Sequence, residues 1–243
     1  MIVNNKAKIK SIEVLKNPMW ILLIIFIVSA CTTRPNFPDT PSISLNDYYF
    51  QQIKDLSLDS LVIKIKFEDG DGDLGLFSDE IYPPYQLLDI NTDTNGDTLR
   101  FGDPNTPPYN CIDYEIFRSE ESINGSLVVT ADTVYVDRNI YHYNFLLYFL
   151  IKEADGSFRE FSPALERNCA PPYHGRYFIL NTAGDVRPLE GELQYNLVSG
   201  FRLLFRNEII KLRIQIFDRA LNESNIIETE EFNINDIIRP ATD

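Results

Sequence analysis

The sequence predicts an all-β protein built as an antiparallel sandwich, on three observations. Apolar and polar side chains alternate at period two in two well-separated segments, the pattern of strands with one buried face. Further short apolar segments follow one another, divided by Asn, Asp, Gly and Pro turn signals. After residue 30 no long segment carries the 3.6-residue period of an amphipathic helix.

The first 30 residues stand apart from this pattern. Lys6, Lys8, Lys10 and Lys16 precede an apolar run over residues 19–28, which ends in Ser29-Ala30-Cys31. Such a run is too short to cross a hydrocarbon layer of about 30 Å as a helix but suits the core of a signal peptide. An uncleaved N-terminal anchor is the alternative. The Ser29-Ala30-Cys31 ending resembles the lipobox of bacterial lipoproteins, which implies cleavage before Cys31 and acylation of both its thiol and the new amino terminus. One acyl chain, at about 0.8 kcal/mol per buried methylene, holds a protein to a membrane only marginally; several hold it durably. No Asp follows the cysteine, so the resemblance implies the outer membrane. Residues 31–41 contain Pro35, Pro38 and Pro41 and read as an extended tether between anchor and body.

Without residues 1–30, which hold four Lys and one Glu, 18 basic residues face 35 acidic ones, a net charge of about −17. A surface that acidic repels phosphate backbones and anionic headgroups, which excludes nucleic acid as a partner and leaves the lipid anchor as the route to membrane. A hydrophobic content of 44% is ample for a packed core, so the acidity belongs to a folded surface and not to a disordered tail.

The strands follow in order. Leu61, Ile63, Ile65 and Phe67 alternate with Val62, Lys64, Lys66 and Glu68. Segments 127–130 and 133–136 are short strand candidates, and 143–153 is apolar on both faces, which predicts a strand covered on both sides. Asp155-Gly156 turns that strand back through 157–161 as a hairpin. Segments 177–180, 192–197, 201–205 and 226–234 continue the rhythm, and Ile210, Leu212, Ile214 and Ile216 form the second alternating strand. At an offset of 149 residues Leu61 aligns with Ile210, Phe67 with Ile216, Asp69 with Asp218 and Asp73 with Asn222, which suggests a repeated strand-loop unit. With Ser162-Pro163 and Pro171-Pro172 interrupting the pattern, the expected organisation is one unit over 42–162, with long acidic loops, and a second over 173–238; one elaborated sandwich is the alternative. Residues 76–108 are rich in Asp, Asn, Pro and Gly and should form surface loops.

Four site readings arise from the residues. Asp69, Asp71 and Asp73 present carboxylates at i, i+2 and i+4, with Glu80 at the twelfth position, as in loops that bind Ca²⁺ through hard oxygen donors. The fit to an EF-hand is partial, because Leu74 occupies the position that needs Gly and a strand precedes the loop; a solvated acidic loop is the alternative. The second oxygen-rich run, 89–97, has no acidic twelfth residue, Gly102 standing there when counted from Asn91, and reads as an Asn95-Gly96 turn. Cys111 and Cys169, an even pair in an exported chain, read as a disulfide or else as two buried thiols. With no Cys-x-x-Cys, and with His142 and His174 isolated, neither zinc binding nor a nucleophile-histidine pair is indicated, and the chain reads as no enzyme.

The run from Phe67 to Gly75, together with Asp218, Asn222 and Thr229, resembles uncharacterised outer-membrane lipoproteins of Bacteroidota-type bacteria. The resemblance implies an immunoglobulin-like or cadherin-like sandwich, in which an Asp ending a strand and an Asn a few residues later tie down an inter-strand loop. It implies location and fold but no activity. The expected function is therefore a lipid-anchored, non-catalytic binding or structural component of the cell envelope, with envelope proteins or glycans as partners. An accessory carbohydrate-binding lipoprotein is the first alternative, with Tyr48, Tyr49, Tyr82, Tyr85, Tyr109 and Tyr173 as candidate stacking surfaces. A hydrolase is the second.

Overall fold

The computed structural model describes residues 35–52, 59–124, 126–199 and 201–240. The leader, Cys31 and the first part of the tether lie outside the described residues. Strands β1 (Ser42–Gln52), β2 (Asp59–Asp69), β3 (Leu88–Ile90), β4 (Tyr114–Ile123), β5 (Ser126–Arg138), β6 (Phe145–Lys152) and β7 (Phe158–Glu160) precede a short helix, α1 (Pro163–Glu166). There follow β8 (Leu189–Ser199), helix α2 (Phe201–Phe205), β9 (Ile210–Ile216), β10 (Ile227–Glu228) and β11 (Ile238–Arg239). The protein is all-β. Its sheets run β11-β1-β2-β8, β10-β9-β6-β7 and β3-β5-β4, antiparallel throughout except where β11 joins β1. Among the described residues no helix is long and apolar enough to cross a membrane.

The two four-stranded sheets share one core and form the layers of a sandwich. The alternation in β2 buries Leu61, Ile63, Ile65 and Phe67, and that in β9 buries Ile210, Leu212, Ile214 and Ile216; β6 adds Phe145, Leu147, Phe149 and Ile151. Each such side chain contributes about 1.5–3 kcal/mol on burial. The segments aligned at an offset of 149 thus lie inside opposite layers. Strand β6 also buries Leu146 and Leu150 on its other face, which is why it carries no alternation.

Three expectations are corrected. Residues 42–162 and 173–238 do not close separate cores, because β2 pairs with β8 along their full lengths and β6 pairs with β9. Residues 201–205 form α2 and not a strand. Phe201 and Phe205 are buried while Leu203, which a strand would place on the same face, is 77% exposed, so the spacing is i, i+4. Residues 177–180 form no strand, although the Leu76 amide bonds the Tyr177 carbonyl and the Leu180 amide the Leu74 carbonyl.

The three-stranded sheet stands out from the sandwich. Its β4–β5 ribbon is buried only near the base, at Tyr114, Val134 and Val136, while Leu127, Val128 and Val129 are exposed. Cys111, at that base, is disulfide-bonded to Cys169 beyond α1, with Cα atoms 5.5 Å apart. Arg138 braces the same corner by donating to the carbonyls of Cys111 (2.9 Å) and Ile112 (3.1 Å).

Candidate metal centre

Strand β2 runs straight into the acidic loop, because its last inward residues, Phe67 and Asp69, continue the alternation that buries Leu61 to Ile65. Asp69 is fully buried. Gly72 sits at φ +73°, a left-handed conformation that glycine adopts without cost, and a Cβ there would overlap the Arg187 carbonyl. Gly70 donates its amide to the Pro38 carbonyl at 2.8 Å, so the far end of the tether is seated on this loop.

Strand β9 delivers the opposing group. Phe217 and Asp218 follow it, and Asp218 forms an antiparallel bridge with Leu74. Asn222 closes the turn, donating its amide to Asp218 Oδ1 (2.7 Å) and its side-chain Nδ2 to Oδ2 (2.8 Å). Asp218 and Asn222 thus tie down the turn between them. The Ala220 amide donates to Asp73 Oδ2 at 3.0 Å and joins the two loops.

The carboxylates of Asp69, Asp73 and Asp218 converge, each offering an oxygen within 4.8 Å of the others. Two ligands on opposite sides of one ion at about 2.4 Å span that same distance. Both oxygens of Asp69, Oδ1 of Asp71 and Oδ1 of Asp73 are buried with no hydrogen-bond partner among the described residues. Burial, reinforced by the charges of Asp71, Asp73 and Asp218, pushes the Asp69 carboxyl up to about 7. Burial and the charges of Asp218 and Asp71 push Asp73 up to about 6. Asp218 is raised as well, by burial against the opposing bonds from Asn222. An unpaired buried carboxylate is costly, and it is relieved by a proton or by a cation.

Of the loop residues expected to ligate, Asp69 and Asp73 converge, Asp71 lies beside them and Glu80 does not take part. Beyond Asp73 the chain leaves in extended form, held by the Leu74–Asp218 bridge and the bonds to 177–180, and does not wrap back as an EF-hand loop would. Glu80 accepts the Phe77 amide (2.6 Å) and pairs with Arg219, whose guanidinium lies 5.4 Å from the Phe77 ring centre. The convergent carboxylate that spacing missed is Asp218. The signal for it was present, since the offset of 149 aligns it with Asp69.

The other candidate residues lie elsewhere. In the 89–97 run Asp93 Oδ1 accepts the amides of Asn95 (2.8 Å) and Asp97 (2.9 Å), and Gly96 turns at φ +89°. His142 Nδ1 is 3.0 Å from the Tyr85 carbonyl, and His174 Nδ1 accepts the Leu147 amide at 3.2 Å. Tyr48 packs on Phe232, Tyr49 lies under the Arg239 guanidinium at 3.8 Å, and the Tyr85 hydroxyl donates to the Arg219 carbonyl. Tyr82 is exposed, and Tyr109 meets Phe101 edge to face at 80°. Asp69, Asp73 and Asp218 thus form an all-carboxylate group that could hold a cation and that joins the ends of one central strand from each layer. No protein-family model, curated protein or solved structure matches this chain.

Proposed function

We propose that the chain is a cell-envelope protein, lipid-anchored in the outer membrane through Cys31, with a non-catalytic binding or structural role carried by an immunoglobulin-like sandwich that Ca²⁺ stabilises. One observation carries the reading. Asp69 is fully buried with both carboxylate oxygens unpartnered, beside Asp73 and Asp218. A cation supplies the missing partner. Donors that are all carboxylate oxygens, with no His or Cys among them, favour a hard ion, and Ca²⁺ tolerates an irregular, partly hydrated shell better than Mg²⁺ does. The location rests on the leader and on Ser29-Ala30-Cys31. Six residues lie between Cys31 and Pro38, and the seven steps span at most about 25 Å, so an anchored molecule holds this loop close to the bilayer.

Thermal melts of the full chain with Ca²⁺ and with chelator test the metal. Ligand at 1,000 times its Kd adds about 4 kcal/mol, and a domain of this size moves about 2–4 °C per kcal/mol, so chelation should lower the Tm by roughly 10 °C. Superimposable melts would reject the cation. Mass analysis of the exported protein tests the anchor. An acylated Cys31 at the amino terminus is expected, and a retained leader would overturn it.

A further inference from the structure

A second site, independent of the cation loop, lies along an uncovered length of the β6 edge. Phe145 exchanges both main-chain bonds with Gly175 (3.0 and 2.8 Å), and farther along Phe149 accepts the Phe161 amide at 2.8 Å. Between these points the chain leaves the edge through α1 and the disulfide, so no strand among the described residues covers the middle. A cleft of about 220 Å³ opens there. It is walled by β6 and Phe161 on one side and, on the other, by Leu87, Ile112 and Ile140 from the base of the three-stranded sheet. That volume exceeds the roughly 150 Å³ of an apolar cavity able to hold benzene, so one substituted ring fits.

The polar groups of the cleft are few and specific. His174 is fixed between two rings, edge-on to Tyr148 at 4.7 Å and to Tyr143 at 5.3 Å. Because Nδ1 accepts the Leu147 amide, the neutral ring carries its proton on Nε2, which has no protein acceptor among the described residues. Burial holds the imidazole at about 4, so it stays neutral at physiological pH. Arg138 also borders the cleft, but its guanidinium is spent on the Cys111 and Ile112 carbonyls and on Glu115. Glu160 borders it too, and the chain's formal charge is −14, which together disfavour an anion.

We propose that this cleft binds a small neutral ring compound bearing a carbonyl-type acceptor, with the ring packed against Tyr143 and Tyr148 and the carbonyl oxygen accepting from His174 Nε2–H. The aromatic edges provide area and orientation, and the single donor selects for the acceptor. The disulfide holds the outer wall, since Ile112 adjoins Cys111 and the Cys169 amide bonds the Ala164 carbonyl at 3.0 Å.

Equilibrium dialysis of the full chain in lipid nanodiscs, with empty nanodiscs as the blank, tests the proposal using acetophenone and isopropylbenzene, which share a shape but differ in the acceptor. Saturable binding of acetophenone is expected, with a Kd on the order of 1 mM or below. His174→Phe should weaken acetophenone roughly tenfold, the value of one hydrogen bond, and leave isopropylbenzene within about twofold. Ile140→Trp, at a partly exposed position, should fill the cleft and abolish binding of both probes with an unchanged Tm. Binding no greater than the blank, or equal weakening of both probes by His174→Phe, overturns the proposal. Should His174→Phe fail to fold, retention of wild-type acetophenone affinity by Ile140→Trp overturns it instead.

Discussion

Residues 69–73 and 93–97 are close relatives in composition, each opening and closing on Asp with Gly between, and they behave in opposite ways. Asp93 sits on a surface turn, partly exposed, and satisfies one oxygen with two amides of that turn, so its carboxyl is held below the usual carboxylate range, first by the Asp97 amide. Asp69 is the inward end of a buried strand. Neither of its oxygens has a hydrogen-bond partner by distance and angle among the described residues, and burial, reinforced by the charges of Asp71, Asp73 and Asp218, pushes its carboxyl the other way. The contrast teaches that acidic composition does not make a cation site. What brings carboxylates together in the interior is a strand that carries one inside and a second strand, from the other layer, that meets it there.

The largest expected effect breaks this pair apart. Asp69→Ala should abolish the gain from Ca²⁺, about 4 kcal/mol at 1,000 times the Kd, while Asp93→Ala should leave that gain intact and lower stability only slightly through the lost turn bonds. Glu80→Gln should also preserve it, since Glu80 serves Arg219. Calorimetric melts of the three variants, each with Ca²⁺ and with chelator, decide the matter. Equal calcium gains in Asp69→Ala and Asp93→Ala would erase the distinction between the loops.

A second contrast is read in pH, with chelator present throughout. In the metal-free fold Asp69 titrates near 7, against 3.8 when unexposed to that environment. Between those values the folded state keeps a proton that the unfolded state has released, so the contribution is fully present below pH 3.8 and is lost as pH rises through 7. Asp69→Asn removes the titration. The variant should therefore overtake the parent above pH 7 by up to a few kcal/mol, with the advantage shrinking toward pH 4. Asp93 is shifted in the opposite direction, so its contribution is present at neutral pH and lost on acidification. Denaturant unfolding at pH 4 to 8 checks the first and its extension down to about pH 2 the second, and a pH-independent difference for Asp69→Asn would refute the first.

The legible parts of the chain were those where one face of an element meets one environment. Strands β2 and β9 alternate cleanly because every second residue enters the same core. Strand β1 escaped notice because a bulge between Leu45 and Asp47 shifts its parity, so that Ile43 and Leu45 give way to Tyr48 and Phe50 as the inward set. Strand β4 was hidden because most of the ribbon it forms with β5 has no buried face at all. At the site, three carboxylates of the loop were readable from spacing, but the choice of Glu80 assumed that the loop folds back on itself. Asp218 lies 145 residues beyond Asp73, and the pairing of Leu74 with Asp218 and the bond from the Ala220 amide to Asp73 bring it in. The division near residues 162–172 failed for a related reason: prolines interrupt strands locally, whereas the partner of β2 lies beyond them.

The smallest expected contrast uses two glycines that share a conformation and differ in surroundings. Gly72 and Gly96 both turn with positive φ, +73° and +89°, so alanine at either incurs a left-handed backbone cost of about 1–2 kcal/mol. Around Gly96 nothing lies within 4 Å of an added Cβ, and Gly96→Ala should cost no more than that. At Gly72 the Cβ would overlap the Arg187 carbonyl, and the Arg187 amide itself holds the Asp71 carbonyl at 3.1 Å. Moving that segment disturbs the loop that places Asp71 and Asp73, so Gly72→Ala should cost about 2–4 kcal/mol and weaken Ca²⁺ as well. Denaturant unfolding gives the first quantity and calcium titration of each variant the second. Equal costs, with equal calcium affinities, would mean that the packing around the 69–73 loop does not position its carboxylates.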